Sequence, residues 1–108
     1  MAQGIPDGLA IETIWVVEAA LGPDAAERRA PVRTEHLRRL GDLRAAGVVI
    51  EAGAFADMSA SLLLIRAATE DQAMAVVRDD VYTKVGVWVS FRARPLGRVA
   101  RVDELPRR

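Results

Sequence analysis

The chain has 108 residues, a formal net charge of zero, 51% apolar and 28% charged residues, and no cysteine. A chain of this length buries roughly two thirds of the surface it exposes when unfolded, so one domain with one modest core is expected. Disorder does not fit so apolar a composition; disulfides, thiolate catalysis and thiolate metal sites are excluded, and a reducing, cytoplasmic setting is the expectation.

The zero net charge hides an uneven distribution. Residues 1–27 hold five acids and no Lys or Arg, whereas residues 92–108 hold six arginines against Asp103 and Glu104. Such asymmetry can help one copy meet another or attract an anion. No aromatic residue stands among those arginines and Lys84 is the only lysine, which argues against a nucleic-acid platform. The first residues place no basic segment before their apolar run and carry Asp7 and Glu12, so they do not read as a secretory signal. The longest apolar runs fall far short of a membrane span, and no membrane partner is expected.

Residues 1–10, with Gly4, Pro6 and Gly8, read as a flexible arm. The domain proper is expected over 11–96. "IETIWVVEA" (11–19) is rich in branched and aromatic residues and predicts a first strand. "LGPDAAERRAPV" then supplies a turn, with room for a short helix and an interruption at Pro31. From Arg33 the pattern becomes helical. Leu37, Leu40 and Leu43 recur at three-residue spacing, His36 precedes Leu40 by four, and charged residues occupy the other side until a stop near Gly47. "VVIEAGAF" (48–55) predicts strand two, with Gly53 a bulge or a place of close backbone approach. "SLLLIRA" (61–67) predicts strand three, and its short connection to strand two favours an antiparallel pair. Thr69 and Gln72 have capping-box spacing before a second helix striped by Ala73, Val76 and Val77. Val87, Val89, Phe91 and Ala93 then alternate with Trp88, Ser90, Arg92 and Arg94, which predicts strand four. Pro95 and Gly97 are expected to end its regularity, leaving 97–108 as an Arg-rich extension with room for a short edge strand.

The order β-α-β-β-α-β is the ferredoxin-like arrangement, an α+β fold with a four-stranded antiparallel sheet and two helices on one face. Leu62 to Ile65 place apolar groups on both sides of strand three, and Trp88 is expected opposite Val87 and Val89. A bare face of that kind calls for a cover, and a homodimer packed through the sheets is the simplest one.

Few residues carry candidate chemistry. His36 is the only histidine and borders the leucine face, where an imidazole can exchange a proton near neutral pH. Asp79 and Asp80 close the second helix, an unfavourable place for acids because they oppose its dipole. If Asp80 accepted one ring N–H of His36, the other nitrogen would be left as a base. Ser59 and Ser61 lack a nucleophile-elbow context and read as turn and strand surface, and Tyr82 reads as a packed or wall-forming aromatic. One histidine and scattered carboxylates make no metal set, and no phosphate or dinucleotide fingerprint occurs, so no cofactor is expected.

These features resemble the YCII-related family of the dimeric α+β barrel superfamily over about residues 12–96. The resemblance rests on Arg33 and His36 opening "HLRRLGDLRAAG", on "EAGAF", and on the stretch from "LLLIRAATEDQ" to "FRARPL". The family's aspartate-proline-aromatic segment corresponds to Asp80, Val81 and Tyr82, followed by Gly86. Proline would fix φ and hold the aspartate extended; Val81 favours that geometry without imposing it. Gly53 matches the family's glycine on strand two, while Ala54 stands where proline is common.

The resemblance implies a dimer with a pocket beside each His36–Asp80 pair. Arg33, Gly53 and Tyr82 would bind substrate there. A few relatives are linked to dehydrochlorination and degradation of chlorinated hydroxyaromatic compounds. The implied activity is cofactor-independent acid–base chemistry, of a lyase, isomerase or dehydrochlorinase type, on a small cyclic or hydroxyaromatic compound. The alternative is a non-catalytic small-ligand-binding or assembly domain in which His36 and Asp80 are a structural pair.

Overall fold

The architecture follows from four strands and two long helices, seen in a computed structural model that describes residues 4–106. In chain order these are β1 (Leu9–Leu21), α1 (Ala25–Arg29), a 3₁₀ turn (Ala30–Val32), α2 (Arg33–Ala45), β2 (Val49–Ala54), β3 (Ala60–Ile65), α3 (Glu70–Arg78), α4 (Val81–Lys84) and β4 (Trp88–Arg101). The strands form one antiparallel sheet in the order β2-β3-β1-β4, the ferredoxin-like topology. Short α1 fills the segment where "LGPDAAERRAPV" left room for a helix, and α4 is an addition to the expected elements.

Period-two burial places the core on one side. Ser61, Leu63 and Ile65 of β3 are buried while Ala60, Leu62 and Leu64 are half-buried. In β1, Val17 and Ala19 join that buried side, where Ala73, Met74 and Val77 of α3 and Val49 of β2 meet them. Branched residues suit this pleated, half-buried surface. Burying a Val, Leu or Ile side chain stabilises by about 1.5–3 kcal/mol, so these positions dominate the fold.

The helix ends are set by local chemistry. Gly47 (φ 78°) follows α2, with its N–H donating to the Arg44 carbonyl and the Val48 N–H to the Leu43 carbonyl. Gly86 (φ 80°) repeats this after α4, the Gly86 N–H donating to Thr83 and the Val87 N–H to Tyr82. Both are Schellman ends, which need a left-handed residue that glycine supplies without a Cβ penalty. Thr69 caps α3 by accepting the Gln72 N–H at 3.2 Å, but the Gln72 side chain accepts from Ala68 N–H, one residue before the expected partner.

Two expectations about the last strand are corrected. Pro95 and Gly97 do not end it: β4 pairs with β1 continuously to Arg101, opposite Leu9. Because β4 is an edge strand, a proline fits where its missing N–H can face outward. "RVARV" therefore continues β4 instead of forming a separate strand. Nor does Trp88 share a face with Ser90 and Arg92. Leu21 pairs with Trp88 and Ala20 with Ser90, so Val89 is an extra, bulged residue that reverses the alternation. Trp88 turns into the helix side and is 2% exposed, while Val89 is 56% exposed. The helix-free face is consequently less apolar than expected, with half-buried Val16, Leu62 and Leu64 beside Glu18, Arg92 and Arg94.

Candidate active site

The bulge and the Gly86 turn deliver an aromatic cluster beneath α2. His36 stacks on Tyr82, with ring centroids 3.5 Å apart and planes 8° from parallel. Trp88 meets both rings edge-on, at 5.2 Å from His36 and 5.6 Å from Tyr82. Its indole N–H donates to Ser61 Oγ at 3.1 Å, so Ser61 is a buried anchor and not the strand-surface residue expected.

Asp80 supplies the charge. Its carboxylate is fully buried, and Oδ1 lies 2.7 Å from His36 Nδ1 and accepts the Tyr82 backbone N–H at 2.9 Å. Its Oδ2 accepts from Arg39 Nη1 at 2.9 Å. Asp80 therefore does not close α3 against the dipole; Asp79 occupies that C-terminal position, and Asp80 is the N-cap of α4. An acid at a helix N-terminus satisfies free N–H groups and favours the dipole. The residue is extended (φ −75°, ψ 142°), the geometry a following proline would have imposed, here with Val81.

The electrostatics follow from these partners. Burial pushes the Asp80 carboxyl up, but the His36 hydrogen bond, the Tyr82 N–H and Arg39 outweigh it and hold the group below its ordinary value. Burial pushes the Tyr82 phenol up against the opposing pull of Arg29 and Arg33, so it stays protonated. An anionic Asp80 suits a proton donated from Nδ1, and in that tautomer Nε2 carries the lone pair of the ring.

His36 also lines a cavity of about 150 Å³, together with Arg29, Arg33, Leu40, Gly53, Tyr82 and Trp88. A cavity of about that size accommodates a single benzene ring. The structure thus gathers Arg33, His36, Gly53 and Tyr82 around one space and places Asp80 behind the imidazole, away from the cavity lining. A Cβ added at Gly53 would meet nothing within 4 Å, so neither packing nor backbone strain in this chain requires glycine there.

Sequence reasoning missed Arg29, Arg39 and Trp88. Arg39 stands three residues after His36, a spacing that places both on neighbouring parts of one helix face. Arg29 stands four before Arg33, but Pro31 suggested that the helical path was broken. Among the described residues no group of three or more His, Cys, Asp or Glu is arranged to hold a metal ion, and no helix is long and apolar enough to cross a membrane.

A family model described as the YCII-related domain matches residues 13–96. No curated protein matches the chain significantly. Among solved structures, the chain is similar to 5-chloro-2-hydroxyhydroquinone dehydrochlorinase (TftG) from Burkholderia phenoliruptrix AC1100, in complex with 2,5-dihydroxybenzoquinone. The TM-score is 0.64 at 21% identity, covering 75% of this chain and 90% of that one. At that identity the likeness is one of fold.

Proposed function

The chain belongs to the YCII-related domain family, and from that premise we propose that it is a cofactor-independent acid–base enzyme acting on a small cyclic or hydroxyaromatic compound. The observation that carries this reading is the His36–Asp80 contact of 2.7 Å beside a cavity of about 150 Å³. Asp80 holds Nδ1–H, Tyr82 holds the ring face and Trp88 its edge, so Nε2 is the nitrogen left to receive a proton. The substrate loses a proton to Nε2, and the electron pair moves onto an adjacent carbonyl or ring oxygen as an enolate. Arg33 stabilises that charge, an effect strongest where water is excluded. The enolate then regains a proton elsewhere, completing an isomerisation, or expels a leaving group, completing a lyase step. The activity named for the TftG neighbour, dehydrochlorination of a hydroxyhydroquinone, supports this class of substrate.

Removing a general base typically costs 10²–10⁴-fold in rate. His36→Ala is therefore expected to lower turnover by at least about 10²-fold while circular dichroism and thermal melting show a retained fold. Undiminished turnover of an identified substrate would overturn the proposal.

We also propose a homodimer packed through the helix-free face, on which Val16, Leu62 and Leu64 are half-buried. Sedimentation equilibrium should give twice the chain mass, and Leu64→Glu should shift it toward the single chain. A wild-type protein that remains a single chain at high concentration would overturn this assignment.

A further inference from the structure

The path from α1 to α2 runs through a 3₁₀ turn and leaves the helical range at Val32 (φ −116°, ψ 1°). Arg29, Ala30 and Arg33 all have right-handed helical torsions, and Pro31 sits at the start of the 3₁₀ turn where its missing N–H costs no helical bond. Arg33, His36, Leu37 and Leu40 are spaced by three, one and three residues, the repeat of one face of α2, and Arg29 at the end of α1 lines the cavity with them. Both arginines thus bring positive charge to the one cavity lining.

Among the described residues neither arginine has a carboxylate partner, as is also true of Arg38, Arg78 and Arg92. Among the described residues, Arg28, Arg39, Arg44, Arg66, Arg94, Arg98 and Arg101 each pair with an acid. Arg29 instead directs Nη1 to Met58 Sδ at 3.6 Å, a weak acceptor on the β2–β3 turn, and no acid lines the cavity. Both arginines act on the Tyr82 phenol. The cavity lining therefore holds two arginines with no carboxylate partner among the described residues, apolar walls of Leu40, Leu63 and Trp88, and the imidazole of His36.

We propose that Arg29 and Arg33 form a two-guanidinium clamp that makes this cavity selective for a planar organic anion about one ring in size. The clamp would hold a pair of oxygens sharing one negative charge, as in a carboxylate or the ionised oxygens of a hydroxyquinone. Guanidinium forks match that planar geometry. The ring would lie against the Trp88 wall, within reach of His36. This inference rests on the cavity being the substrate site, and adds that the substrate is already anionic when it binds. Arg29 is then a specificity-determining residue beyond Arg33.

The test is calorimetric titration of the full chain with benzoate and with 2,5-dihydroxybenzoquinone at neutral pH, each against a neutral counterpart, benzamide and hydroquinone. At least one anion is expected to bind at least about tenfold more tightly than its neutral counterpart, a difference weakened by added salt. Arg29→Gln and Arg33→Gln should each raise its Kd by about tenfold, with Arg29→Lys intermediate. Thermal melting of each variant confirms a retained fold. Preference for benzoate or for the quinone tells a carboxylate from an enolate ligand. His36→Gln should still bind the anion, which separates binding from proton transfer. Equal affinity for neutral and anionic forms, unchanged affinity in Arg29→Gln, or no binding of either anion at roughly 10 mM would overturn the clamp. His36-dependent turnover of a neutral substrate, with Arg29→Gln silent, would overturn the clamp alone and leave the acid–base reading standing.

Discussion

Two carboxylates in this molecule each hold two nitrogen-bearing side chains, in different settings. Asp80, between α3 and α4, takes His36 and Arg39. Glu12, on β1, takes Arg66 and Arg98, and Arg98 reaches on to Glu104. The second cluster joins β1, β3's end and the end of β4, and Arg66 also donates to the Gly47 carbonyl behind α2 at 2.9 Å. All its donors are guanidiniums, which keep their protons, so it ties strands together and moves no proton. The first cluster substitutes an imidazole for one guanidinium and sets that imidazole beside a cavity. A similar pairing thus yields a brace in one place and, on the proposed function, a proton-exchange site in the other, because histidine, unlike arginine, can change charge near neutral pH.

The largest separation of the two clusters should come from Asp80→Ala. It strands a partly buried guanidinium, the His36 ring N–H and the Tyr82 N–H in a fully buried setting. Breaking such a pair costs about 3–5 kcal/mol, to be read by urea unfolding, together with loss of turnover. A variant as stable as wild type would show that Asp80 does not hold the helix ends as described.

A smaller contrast lies in pH. Folded Asp80 lies below its ordinary value of 3.8 and folded Glu12 below 4.5, the latter chiefly through the Arg66 hydrogen bond. Each ionised carboxylate therefore stabilises the fold above its ordinary value, and that contribution is lost as pH falls through the lower folded value. Unfolding free energy should fall on acidification below about pH 4–5. Asp80→Asn and Glu12→Gln should each flatten that fall, and acid sensitivity unchanged in both would contradict these assignments.

The smallest expected effect is Glu12→Gln at neutral pH. Its side chain is 13% exposed and Gln retains part of the hydrogen bonding, so a cost of about 1 kcal/mol is expected. Ligand affinity at the cavity should not change. A parallel loss of affinity would show that the brace and the site are coupled.

Much of the fold was legible because its signals are local. The branched and aromatic content of "IETIWVVEA", the apolar run of "SLLLIRA", the leucine spacing after Arg33 and the stop at Gly47 each act within a few residues. His36 was legible as the single histidine, and the family resemblance selected Asp80 over Asp79. The last strand was misread at both ends for a non-local reason. Whether Val89 bulges depends on its register against Leu21 and Ala20, and whether Pro95 ends a strand depends on which edge is open.

The sequence by itself determined the β-α-β-β-α-β order through periodicity and turn chemistry and singled out His36 by residue type, while the family resemblance it carries selected Asp80 as the partner. Tertiary structure alone decided that Trp88 turns inward, that Asp80 caps a new helix, and that Arg39 closes its second oxygen while Arg29 joins the cavity. Arginine side chains are long enough to choose among many acids, and strand register is set by the partner strand. Only the assembled sheet and helices settle which charge meets which.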